Sequence, residues 1–193
     1  MANRCYLFVS DKHPDDDPQG SNLSGLSEWR GSIPLSHQLL ASGNCQLCQS
    51  RIWNSEHPLA LVGDFQSGFE RFLTFLNDLD VDYFEDAKQK AFDYFSSQDK
   101  TPRYVILEPT EIFHLGSDEP ADACKALHAS MIEPQKLEKP VFKRLREIHS
   151  RSLVPKYPMH KKELTITEKY EAELYYLGLT NWTNTLYFNF ENN

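Results

Sequence analysis

Glycine and proline are scarce in this chain, 8 and 11 of its 193 residues, and no repeat or low-complexity tract interrupts it. No apolar run approaches the roughly 18–20 residues that cross a bilayer. Cysteine is limited to four. A chain of this length buries about 70% of its unfolded surface, so these thiols need no disulfide or metal framework. Basic charge is in the minority, 20 Lys and Arg against 28 Asp and Glu, for a net charge of −8. That balance disfavours nonspecific binding to DNA or to an anionic membrane. Catalytic signatures are missing as well. There is no GxSxG, no GxGxxG after a strand, no P-loop, no HExxH and no kinase set.

What the chain does hold is aromatic and aliphatic bulk. Phe, Tyr and Trp make up 12% and hydrophobic residues 40%, which argues against disorder and for one globular domain over residues 1–193. The first apolar stretch, residues 5–9, is shorter than the about 7–15 residues of a secretory h-region. It reads as a strand, and the default compartment is the cytoplasm, where thiols stay reduced. Charge is unevenly spread. Residues 64–99 hold nine acidic and three basic side chains, while residues 136–162 hold nine basic and two acidic.

Periodicity and punctuation predict the elements. Residues 5–10 read as a strand and residues 11–32 as a long polar loop. Residues 35–42 suggest a short helix, capped by Ser32 and closed at Gly43. Residues 59–62 fit a strand or a buried turn. Ser67-Gly68-Phe69-Glu70 has capping-box spacing and opens a helix with Phe69, Phe72, Leu73, Leu76 and Leu79 on one face. A second helix over 82–97 buries Phe84, Ala87, Ala91, Tyr94 and Phe95. Residues 104–107 form a strand and 118–132 a helix that Pro134 breaks. Pro140 starts a basic helix with Val141, Phe142, Leu145 and Ile148 inward. Residues 170–177 suit either a strand or a helix, and 185–190 a strand near the N-terminal one. The expected fold is α+β, a small, mainly antiparallel sheet covered by several helices.

Few residues point to chemistry. Cys45-x-x-Cys48 can grip one side of a tetrahedral zinc, but no second pair completes a site, so the pair is a weak metal candidate beside the plainer reading of buried thiols. No cofactor is called for. Trp29, next to Glu28 in loop sequence, can anchor a partner as interface tryptophans do, or fold back onto the core. The basic helix with Lys143, Arg144 and Arg146 can hold an anion, an acidic partner or RNA, or simply neutralise acidic helices packed nearby. No RNP, KH or zinc-finger pattern accompanies it, so nucleic acid is the weaker reading. A pocket uniting Trp29, His37, His57 or His114 with Glu108 or Glu111 would support an enzyme or ligand-binding protein.

The opening Met1-Ala2-Asn3-Arg4-Cys5-Tyr6-Leu7-Phe8, with Gly25-Leu26-Ser27-Glu28-Trp29, Ile33-Pro34-Leu35 and Leu39-Leu40-Ala41-Ser42-Gly43, resembles a group of bacterial proteins classed as a domain of unknown function. The resemblance covers roughly the first 45 residues. It implies a bacterial cytosolic origin and carries no site residues. The leading expectation is a non-enzymatic protein, immunity-like or adaptor, that binds another protein. The alternatives are the His/Glu/Trp pocket and anion or RNA binding through residues 136–162.

Overall fold

The computed structural model describes residues 3–16, 23–97, 101–152 and 164–188, with side chains up to residue 150 in the third stretch. Among them five strands form one antiparallel sheet: β1 (Arg4–Ser10), β2 (Ser24–Arg30), β3 (Gln46–Cys48), β4 (Ala60–Asp64) and β5 (Tyr104–Glu108). Their order is β2-β1-β5-β4-β3. Seven helices accompany the sheet: α1 (Leu35–Ala41), α2 (Phe65–Asp78), α3 (Glu85–Ser96), α4 (Thr110–Phe113), α5 (Pro120–Met131), α6 (Pro134–Ser152) and α7 (Ile166–Leu177). The fold is α+β, as the patterning predicts.

Alternation along the strands separates two cores. Cys5, Leu7, Leu61, Val105 and Leu107 point into the main core, where helices bring Leu39, Leu40, Phe72, Leu76 and Leu145. Tyr6, Phe8, Cys48, Ala60, Val62 and Ile106 point the other way and meet Leu186 in a smaller cluster. Every residue of α1 is buried, its polar ones included. Ser36 and Gln38 find partners at short range. Ser36 Oγ donates to the Gly178 carbonyl at 2.9 Å, and Gln38 Nε2 to that of Ile33 at 2.9 Å. Gly68 lets α2 approach α1, because a Cβ there would stand 1.8 Å from the Leu40 carbonyl oxygen.

Several boundaries differ from expectation, each for a physical reason. The expected loop 11–32 contains β2. A register shift pairs Leu7 with Ser27 but Phe8 with Gly25. Leu26 is therefore the extra residue of a bulge, and the apolar pair Leu26 and Trp29 falls three apart instead of two. The cap of α2 is Asp64, whose carboxylate accepts the Ser67 N–H at 2.8 Å; Ser67 itself sits inside the helix. Pro34 is the N-cap of α1 and offers no side-chain cap, and the left-handed residue beyond the helix is Asn44, with φ of 47°, not Gly43. Pro134 starts α6, and Pro140 lies exposed within it.

Residues 170–177 belong to a helix. Thr165 and Glu168 form a reciprocal capping box, and Gly178 closes the helix with φ of 69°. Residues 185–188 run irregularly where a strand is expected. The Glu28 carboxylate, not a backbone carbonyl, accepts the Tyr187 N–H at 2.7 Å. The run still lies beside β1, with Phe188 edge-on to Tyr6. Residues 189–190 are outside the described residues.

Candidate functional site

The residues singled out from sequence are dispersed. Trp29 is 3% exposed and packs on the Tyr175 ring at 5.0 Å. It closes the core and offers no surface anchor. Cys45 packs with the main core and Cys48 with the opposite cluster. An offset of three across an edge strand sends the two thiols to opposite faces of the sheet, so they cannot clasp one ion. Burial pushes the Cys45 thiol up to about 12, and that of Cys48 further. Among the described residues no group of three or more His, Cys, Asp or Glu could hold a metal, and no helix is long and apolar enough to cross a membrane.

The imidazole and carboxyl candidates do not converge either. His37 is sealed in the main core, with Nδ1 3.7 Å from Cys5 Sγ, and burial lowers its pKa to about 3. Glu108 points to the other face. Its carboxylate accepts Ser50 Oγ at 2.7 Å and the Arg51 N–H at 2.5 Å. Burial raises its pKa to about 7 against the lowering effect of those two bonds and of the Arg51 charge. Ser50 Oγ in turn accepts the Ile52 and Trp53 amides, so this carboxyl pins a loop. Glu111 accepts the Arg4 N–H and the Tyr6 hydroxyl. His57 and His114 are exposed.

Of the basic helix residues, Arg144 is committed to Glu173, at 2.6 and 3.1 Å, with the Tyr176 ring 4.7 Å away. Lys143 is exposed. Arg144 lines a small hollow of about 220 Å³ beside Glu173, and Arg146 a separate groove of about 920 Å³. His160, Lys156, Lys161 and Lys162 lie outside the described residues, as does the Arg151 side chain.

This groove is where the acidic segment meets the basic helix. Leu79 and Phe84 are wholly buried and anchor the turn between α2 and α3 from within. Asp80 and Asp82 point outward between them and, with Asp78 at the end of α2, form one wall. The turn is stiffened by the Asp80 N–H on the Asp78 carbonyl at 3.0 Å and the Phe84 N–H on that of Val81 at 2.9 Å. Arg146 and His149 of α6 form the opposite wall, over Phe142 and Leu145. Tyr83, stacked on Tyr170 with centroids 5.5 Å apart, completes an aromatic floor. Phe84 holds Tyr170 edge-on from below.

Arg146 is not bridged to the aspartates it faces. Among the described residues Arg146 and the three aspartates make no ion pair within 4.0 Å. Elsewhere the chain pairs its charges closely, as at Lys88–Glu85, Lys90–Asp86 and Lys136–Glu133, each 2.7 Å. The described lining carries three carboxylates, one guanidinium, one imidazole and two tyrosine rings, so it offers charge of both signs and ring surface. The charge count marks residues 64–99 as an acidic stretch that could face a basic partner or simply be solvated, but it does not single out these three aspartates. Their signal was the alternation Asp78-Leu79-Asp80-Val81-Asp82 between two helices, apolar inward and acid outward.

A family model described as a domain of unknown function, DUF7822, matches residues 11–150. The match reaches well past the first 45 residues that carry the resemblance noted above. No curated protein and no solved structure is significantly similar to the chain.

Proposed function

Because the chain belongs to the DUF7822 family, a domain of unknown function, we propose a role from its own side chains: it is a non-enzymatic binding protein that recognises a polypeptide partner through the groove between Asp78, Asp80 and Asp82 and the Arg146 face of α6. The observation that carries this reading is the placement of Asp78, Asp80 and Asp82 and of Arg146 around one aromatic floor, with no ion pair between them among the described residues. A partner segment would place a basic side chain against the aspartates and over the tyrosine rings, where cation–π attraction adds to charge. An acidic side chain would meet Arg146. Complementary fields of this kind raise association rates and set register. The proposal includes a bacterial cytosolic setting, and the four free thiols suit its reducing conditions. An immunity-like or adaptor role follows from the same chemistry.

The test is a titration with synthetic peptides carrying Lys or Arg and Glu on either side of a leucine or tyrosine. Binding should be saturable, should weaken with salt, and should fall about tenfold in the Asp80→Asn/Asp82→Asn double variant. Peptide affinities that are indifferent to salt and to both aspartates would overturn the reading.

A further inference from the structure

We infer that the opposite end of α2 carries a second, independent site, for an apolar small molecule bearing one cationic group. Phe65 and Asp78, the first and last of the 14 residues of this helix, lie about 20 Å apart at the helical rise, so the two sites do not share a wall. The cavity at the Phe65 end is about 540 Å³, within the range of small-molecule sites. Its floor is a continuous aromatic surface. Phe65 stacks on Phe69 at 5.5 Å with the rings 16° from parallel, and Phe95 meets Phe69 at 4.9 Å. Leu26, brought in by the bulge of β2, borders the same surface.

The rim decides which ligands fit. Asp11 and Glu70 are exposed there, and the described lining contains no Lys, Arg or His. Glu70 is held in place by Gln66, whose Nε2 donates to Oε1 at 2.8 Å. With no cation beside them among the described lining residues, the two carboxylates repel fatty acids, phosphates and other anions. They attract an ammonium group whose apolar body lies on the rings, and the ring faces favour the same sign of charge. An arylalkylamine has both parts.

The experiment is an amide NMR titration of the whole protein with tryptamine, indole and indole-3-propionate, which share one ring and differ in charge. Tryptamine should shift the Gln66, Phe69 and Glu70 amides saturably and bind about fivefold or more tighter than the propionate. The exposed Asp11→Asn/Glu70→Gln double variant should lose that advantage while indole binds as before, which shows the floor intact. Absence of saturable shifts with tryptamine through the low millimolar range overturns the inference. So do equal affinities for amine and acid, or an amine affinity untouched by the double variant.

Discussion

His37 and Glu108 are both closed off from water, and burial drives them in opposite directions. The His37 pKa falls from 6.5 to about 3. The folded state therefore binds its proton less well than the unfolded chain, and this contribution to stability is present above pH 6.5 and lost as pH falls toward 3. The Glu108 pKa rises from 4.5 to about 7. Its contribution is present below pH 4.5 and lost as pH rises through 7. Between about pH 4.5 and 6.5 the two slopes oppose each other, each up to about 1.4 kcal/mol per pH unit. Glu108→Gln keeps the acceptor for the Arg51 N–H and removes one slope. Urea unfolding from pH 4.5 to 7.5 should show the variant gaining on the parent as pH rises, whereas parallel curves would contradict the burial argument. Gly68 poses a simpler problem. Gly68→Ala sets a methyl group against the backbone of α1, and a backbone atom cannot rotate away. The expected cost is about 3 kcal/mol, read from the urea midpoint.

Pro140 lies in the seventh position of α6 and cannot donate to the Lys136 carbonyl four residues earlier. Both residues are exposed, so water can take that carbonyl, and the helix continues. Pro140→Ala should stabilise the protein by about 1–3 kcal/mol, measured by thermal or urea unfolding, and an unchanged midpoint would show that the helix is not strained there. The same helix shows why prolines mislead. Pro134 and Pro140 both fit a first turn, and only the packing of Val141, Leu145 and Ile148 together with the Arg144–Glu173 bridge carries α6 through the second. Elements with regular apolar spacing, β1, α2, α3, β5 and α5, were legible from residues alone. β2 was not, because the bulge at Leu26 breaks the alternation that identifies a strand. The helix over residues 166–177 hid behind six alternating residues, although Thr165, Glu168 and Gly178 carry its start and stop in plain chemistry.

At the scale of the molecule, the acidic stretch and the basic helix are neighbours, and their charges face each other across a groove that holds them apart. The composition, the charge blocks, the α+β class and the lack of a linear catalytic motif were all determined by the sequence, because they depend on residue type and local spacing. The tertiary structure alone decided which side chains share a surface. It buried Trp29 against Tyr175, turned Cys45 and Cys48 to opposite faces, spent Arg144 on Glu173, and brought Asp80 and Tyr83 opposite Arg146 and His149. Those outcomes depend on how the sheet and its helices close around two cores, and partners 29 or more residues apart leave no periodic trace in the chain.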